Sequence, residues 1–289
     1  MANTASTDLY GKNLTSLYYQ YMIPQSLARG RTMHLKQVTF HPEKYPTRDC
    51  YPFNLSIFQQ SQSIPFSSPI TVFVGENGTG KSTLLEALAH LCGIHIWRDV
   101  ERRRLEYNPY ENNFHHYLSI EWTTERVYGS FFGSSIFRHF AQILDEWASA
   151  DPGQLDYFGG KSLMTQSHGQ SFMSFFQSRY QIKGLYLLDE PETALSPRSQ
   201  LELLKILTKT TGANQAQFII ATHSPLLLAC PDAIIYSFDD ACIKQVAYEE
   251  TTHYQLYKGF MEDRSRYLLP LEGKASRSSS RLPGTEDSE

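Results

Sequence analysis

The stretch GENGTGKST, residues 75–83, decides the fold. It fits the pattern G-x-x-x-x-G-K-[ST] in full. The run before it, ITVFV, is short and continuously apolar, as a strand buried on both faces of a parallel sheet would be. The run after it, KSTLLEALAHLC, carries Leu84, Leu85, Leu88 and Leu91 at helical spacing and meets Gly93 where a helix would stop. Strand, glycine-rich turn and helix together predict a cradle for phosphate. Glycine at 75, 78 and 80 lets the turn's N–H groups point inward, and the helix start offers its positive end to the same anion. Lys81 is expected to bridge the outer phosphates of a nucleotide and Ser82 to ligate Mg²⁺, with Glu76, Asn77, Gly78, Thr79, Gly80 and Thr83 completing the cradle.

Two further apolar runs end in polar groups. LYLLDEPE is a strand ending in Asp189, expected to hold the Mg²⁺ directly or through water. Glu190 then stands where it can orient the attacking water and accept its proton. FIIATHSP is a third strand, ending in His223. In a parallel sheet the carboxyl ends of strands face one crevice, which puts His223 within reach of the γ-phosphate as a hydrogen-bond donor. Each of these endings also has a plain structural reading, as the start of a solvated loop or a satisfied histidine. The complete phosphate loop upstream favours the functional one.

Elsewhere strands alternate with helices, which argues an α/β sheet. MHLKQVTF and YPFNLSIF read as strands and SIFRHFAQILDEWA as an amphipathic helix. SFMSFFQSRY and SPRSQLELLKILTKT read as helices, the second with Ser196 as N-cap and Pro197 in its first turn. AIIYSF is a strand, IKQVAYEE an edge strand, and THYQLYKGFMEDRSRYLL a closing helix.

The phosphate loop, LLDEPETALSP and ATHSP, in that order, resemble the ABC-type ATPases. More narrowly they resemble small stand-alone AAA-family ATPases related to the heads of SMC proteins, recombination-repair ATPases and overcoming-lysogenization-defect nucleases. The resemblance implies an α/β P-loop fold: a mixed, largely parallel sheet flanked by helices, with added antiparallel strands and a helical subdomain. It divides the chain into an extension over 1–32, an ATPase domain over 33–271 with the helical subdomain at about 94–182, and a disordered polar tail over 272–289. It also implies ATP and Mg²⁺ as cofactors. QSHGQSF resembles the family's L-S-G-G-Q signature, with Ser167, Gly169 and Gln170 matching and His168 replacing the first glycine. In the family this turn contacts the γ-phosphate held by a second subunit, which implies an ATP-dependent, head-to-tail homodimer. An ordinary helix cap is a compatible role. TALS, residues 193–196, stands where relatives place the loop that crosses the dimer seam.

Two departures bear on function. The family's glutamine loop is expected after SIEW or SFFGSS, where no glutamine stands clearly, and Gln142 lies inside a predicted helix. Among aromatic residues upstream of the loop, Tyr45, Tyr51 and Phe53 are candidates for adenine, with core packing the expected role of each. About a hundred residues separate Lys81 from Asp189, too few for a long coiled-coil arm.

The 289 residues are 41% hydrophobic and 19% charged, an ordinary globular composition. A net charge of −4 gives no whole-surface attraction to nucleic acid or anionic lipid. The run Arg102–Arg104 reads as a solvated helix face or as a local phosphate contact. The four cysteines form no CxxC pair, so neither a zinc site nor a disulfide framework is expected. With no long apolar run and no basic-then-apolar leader, the expected location is the cytoplasm. Three readings follow: a Mg²⁺-dependent ATPase cycling between monomer and ATP-bound dimer; a regulatory ATP-binding subunit that recruits a separate effector in a defence or repair complex; and a transporter's ATPase subunit. The altered signature and the missing glutamine argue against the last.

Overall fold

The computed structural model describes residues 33–97 and 108–268, apart from 111, 124, 135, 151–152, 154, 156–159, 166–167 and 214–215. Ser167, Arg102–Arg104 and the expected extension and tail lie outside the described residues.

The strand ahead of the glycine-rich turn is β3 (Ile70–Val74), and every one of its residues is buried. It pairs in parallel with β7 (Ala216–Ala221) on one side and β8 (Ile234–Ser237) on the other. Outward from β7 come β6 (Gly184–Asp189) and β5 (Gly129–Gly133), also parallel. Beyond β8, β9 (Lys244–Val246) runs antiparallel and closes the far edge, as expected for IKQVAYEE. The sheet order is β5-β6-β7-β3-β8-β9. A second, antiparallel sheet joins β2 (Ser63–Pro65), β1 (Leu35–Phe40) and β4 (Leu118–Trp122) in the order β2-β1-β4. The expected mixed, largely parallel sheet with added antiparallel strands is therefore present.

Alternation along the central strands produces two cores. On one face Val72, Val74, Tyr186, Leu188, Phe218 and Ile220 pack against helices. These are α3 (Phe137–Ala150), α4 (His168–Arg179), α5 (Pro197–Gly212) and α6 (Pro225–Leu228). Phe132 of β5 anchors α3 and α4 there, with ring centroids 5.3 Å from Phe137 and 4.9 Å from Phe172. On the opposite face Phe73, Leu185, Leu187 and Ile219 meet α2 (Lys81–Cys92) and the antiparallel sheet. Gln217, fully buried on β7, joins the two sheets. Its side-chain oxygen accepts from the N–H groups of His34 and Leu35 at 2.9 and 2.7 Å, and its amide donates to the Leu35 carbonyl at 2.9 Å. All three bonds replace water at the start of β1, where an unpaired buried group costs about 1–3 kcal/mol.

YPFNLSIF departs from its expected strand. Residues 51–54 turn, with the Asn54 N–H bonded to the Cys50 carbonyl, and Ser56–Gln60 form a short helix, α1. Phe53, Ile57 and Phe58 then reach one core together, a spacing that serves a helical turn as well as a strand. The closing helix is divided into α7 (Thr252–Glu262) and α8 (Ser265–Leu268). Cys92 and Cys230 are buried, as expected for small core residues.

Candidate functional site

The carboxyl ends of β3, β6 and β7 lie side by side, so the residues that follow them share one edge of the sheet. After β3 the loop turns sharply enough that Gly75 has φ +154° and a Cβ there would sit 3.0 Å from both Phe238 and Asp239. Gly80 takes φ +101°, and a Cβ there would stand 2.6 Å from the Phe58 ring. The loop's shape and its packing on α1 therefore both require glycine. Asp239, just past β8, accepts a hydrogen bond from the Glu76 N–H at 2.7 Å and so pins the loop from outside.

Lys81 opens α2 and is buried. Its Nζ donates to the carbonyls of Gly75 and Glu76 at 2.7 and 2.8 Å. Burial lowers its pKa, while the carboxylates of Glu190, Asp239, Asp189 and Glu76 act to raise it. The carboxylates favour the charged ammonium, and a buried ammonium is a strong donor to phosphate oxygen.

Ser82 Oγ donates to Asp189 Oδ1 at 2.8 Å, across 107 positions of sequence. Burial pushes the Asp189 carboxyl up to about 7, with Glu190 and Glu86 adding to the shift and the Ser82 hydroxyl and Lys81 opposing it. A hydroxyl beside a poorly solvated carboxylate is the hard-oxygen pair that Mg²⁺ takes from a protein before completing its shell with phosphate and water. Among the described residues no group of three or more His, Cys, Asp or Glu could hold a metal unaided.

Glu190 adopts φ 46°, a left-handed conformation uncommon for a non-glycine residue, and its N–H bonds the Ala221 carbonyl at 2.9 Å. The turn carries its carboxylate away from the strand line to within 3.6 Å of His223 Nε2. His223 is fixed in turn through its main chain, which donates to Glu192 Oε1 at 2.6 Å. Burial raises the pKa of Glu192. Burial lowers that of His223, and Lys81 lowers it further against Glu190, which favours the neutral ring. Ser224 does not face the site: its Oγ accepts from the N–H groups of Leu226 and Leu227 and donates to Gln200.

The structure thus brings Lys81, Ser82, Asp189, Glu190 and His223 together. Gly169 and Gln170 lie in the first turn of α4, and a Cβ on Gly169 would stand 3.4 Å from the Ala194 carbonyl. The signature-like turn therefore abuts the TALS segment of its own chain. Beside Asp189 the neighbouring strand is β5, paired Gly133↔Asp189, and the Ser134 N–H reaches the Asp189 carbonyl at 3.4 Å. The position expected for a glutamine loop is occupied there by serine.

Tyr51 corrects one expectation. Phe53 is fully buried and Tyr45 packs against it at 4.8 Å, as expected for core residues. Tyr51 instead is exposed, with its hydroxyl hydrogen-bonded to Thr83 Oγ1 at the end of the phosphate loop. Glu192, Asp239 and His253, which lies against His223, escaped the sequence reading. Glu192 stood inside a motif already quoted, whereas the other two are brought in by the C-terminal third of the chain.

Two protein-family models match the chain. Both describe an AAA domain, one over residues 53–128 and the other over 173–229, the second with the added description of a candidate AbiEii toxin of a type IV toxin–antitoxin system. The hemin import ATP-binding protein HmuV of Bradyrhizobium diazoefficiens is 22% identical over 245 residues, covering 74% of this chain and 88% of that protein. Among solved structures, a candidate metal-chelate type ABC transporter in an inward-facing conformation aligns with TM-score 0.47 and 18% identity, over 78% of this chain and 88% of that one. The SMC head domain from Thermotoga maritima aligns with TM-score 0.40 and 14% identity, over 74% of this chain and 98% of that one. With the phosphate loop and both family models in place, the chain is a P-loop ATPase domain of the AAA/ABC type, which binds and hydrolyses ATP.

Proposed function

We propose that ATP acts here as an interfacial ligand: two copies pack head to tail, and each nucleotide lies between one copy's phosphate loop and the other copy's signature-like turn. The observation that carries this reading is the one-sided placement of the site. Lys81, Ser82, Asp189, Glu190 and His223 all gather at the carboxyl edge of one sheet, which supports a nucleotide held from that edge, while the signature-like turn, which supplies none of these groups, is left to meet the nucleotide of a partner. In this reading Lys81 neutralises the phosphates and Ser82 and Asp189 hold Mg²⁺. Glu190 orients the attacking water and accepts its proton, and His223 donates to the γ-phosphate. Mg²⁺, when bound, supplies the charge that offsets the phosphates. Glu76, Asn77, Gly78, Thr79, Gly80 and Thr83 line the phosphates on the near side, and Ser167, Gly169 and Gln170 meet the partner's nucleotide. The exposure of Tyr51 and its bond to Thr83 support an aromatic contact from Tyr51 to the base. Binding closes the pair and hydrolysis loosens it.

The seam is tested by Gly169→Glu. Among the described residues a Cβ on Gly169 would meet the Ala194 carbonyl at 3.4 Å, an ordinary contact, so the helix is expected to accept the change. A carboxylate at that turn would repel the partner's γ-phosphate. The expected outcome is near-normal ATP binding by the monomer with loss of ATP-dependent dimerisation in light scattering. A dimer of undiminished stability would sink the seam.

The metal pair gives a pH prediction. Asp189 has a folded pKa of about 7, above the ordinary 3.8, so its protonated form is favoured in the fold. Its stabilising contribution is complete below the unfolded value and is lost as pH rises through about 7. Nucleotide-free, metal-free protein is therefore expected to lose thermal stability between pH 5 and 8 in a way that Asp189→Asn does not. MgCl₂ is expected to restore it at the alkaline end in the wild type alone. Parallel melting curves for wild type and variant across this range, without metal, would contradict the assignment.

A second reading, the ATPase subunit of a transporter, is supported by the likeness to HmuV, and a regulatory subunit with a separate effector by the AAA model that mentions a toxin. No described helix is long and apolar enough to cross a membrane. Turnover that stays negligible until detergent-solubilised membrane partners are added would favour that reading over the homodimer.

A further inference from the structure

His253 lies on α7, thirty residues beyond His223, and is nine-tenths buried. Its Nε2 stands 3.1 Å from His223 Nδ1, a hydrogen bond in which one ring must donate and the other accept. Among the described residues the outer nitrogens of the pair, His223 Nε2 and His253 Nδ1, are enclosed without a hydrogen-bond partner in the chain. His223 Nε2 looks toward Glu190, 3.6 Å away.

Two tautomer arrangements satisfy the short contact. If His223 donates from Nδ1, its Nε2 presents a lone pair to the Glu190 carboxylate, which is repulsive at that range. If His253 donates from Nε2, His223 Nε2 carries the proton and faces Glu190 attractively. The groups that face the rings weigh on their charge. Burial and Lys81 lower both pKa values; Glu190 and Glu76 oppose this at His223, Asp239 and Glu76 at His253. With both rings neutral, charge state does not decide the outcome and the hydrogen-bond direction does.

We infer that His253 is a positioning residue: its Nε2–H donates to His223 Nδ1 and so fixes His223 as the Nε2–H tautomer, with that proton aimed at the phosphate side. Glu192 holds the His223 main chain at 2.6 Å, and His253 sets what the ring offers. The inference deepens the proposed function and rests on His223 facing the γ-phosphate. A neutral histidine of the other tautomer would turn a lone pair toward phosphate oxygen and lose its role as donor.

Long-range ¹⁵N–¹H spectra of the histidine-labelled full chain report each ring's tautomer directly. The expected wild-type result is the Nε2–H form for His223. In His253→Ala that preference is lost and kcat falls about 10-fold or more, with KM for ATP within about threefold. In His253→Gln, whose amide N–H replaces the donor, the tautomer and most of the turnover return. A wild-type His223 in the Nδ1–H form overturns the inference even if a variant fails to fold, as does His253→Ala with unchanged tautomer and kcat. His223→Ala with unaltered turnover would remove the phosphate contact itself and leave the ring pairing to be judged by the spectra alone.

Discussion

Lys81→Ala is expected to reduce ATP affinity roughly 100-fold or more, about 3 kcal/mol, and to bring turnover to background. The reason lies in what surrounds the ammonium. Its Nζ is buried and already donates to the Gly75 and Glu76 carbonyls, so it fixes the loop's curvature before nucleotide arrives. Removing it leaves two inward-facing carbonyls without a donor and takes away the cation that offsets the negative charge of Glu190, Asp239, Asp189 and Glu76. A triphosphate entering that site would meet net negative charge. Arginine is no substitute, because its planar fork cannot reproduce a compact donor reaching two carbonyls of the same turn. Isothermal titration with ATP and Mg²⁺ checks this. Affinity within threefold of wild type would contradict the assignment of the loop.

Glu190→Gln is expected to lower turnover by a factor of about 10²–10⁴ while ATP stays bound, since general-base removal affects proton transfer and spares binding. The amide can still occupy the left-handed turn, whose Glu190 N–H to Ala221 bond is main-chain and survives the substitution. It can also still approach His223. What it cannot do is take a proton from water. Under the proposed function the variant therefore accumulates the ATP-bound state, and light scattering with ATP should give twice the monomer mass. Hydrolysis at the wild-type rate would show that another group is the base. A slow but strictly monomeric variant would keep Glu190 in the chemistry and reject the two-copy seam.

The parts of the site that were readable in the sequence are those where one short segment contains its own physical reason. GENGTGKST carries turn, donor and helix start within nine residues, and an apolar strand ending in Asp189 and Glu190 announces where its polar end must lie. The rest depends on contacts that no window contains. Asp239 matters because β8 ends beside β3, and His253 because α7 brings it against His223, just past the end of β7. β5 has glycine at both ends and only two large apolar residues, too faint a pattern to mark as the neighbour of β6. Phe53, Ile57 and Phe58 satisfy two periodicities, and the turn over residues 51–54 decided between them. Tyr51 looked like its aromatic neighbours, and only its place beside Thr83 separates it from them.

The Gln217 clasp has a mechanical corollary. Because three buried bonds fasten the start of β1 to β7, the antiparallel sheet and the nucleotide-bearing sheet travel as a single chassis. Among the described residues the α3–α4 pair meets that chassis through the ring cluster around Phe132 and, at the end of α4, through the Tyr186 hydroxyl, which donates to the Arg179 carbonyl at 2.9 Å, and the Arg179 guanidinium, 3.4 Å from the Gly129 carbonyl. Under the proposed function, a swing that carries the signature-like turn toward another copy would therefore roll on phenylalanine rings and pivot about the far end of α4, where Tyr186 and Arg179 tie it to the sheet.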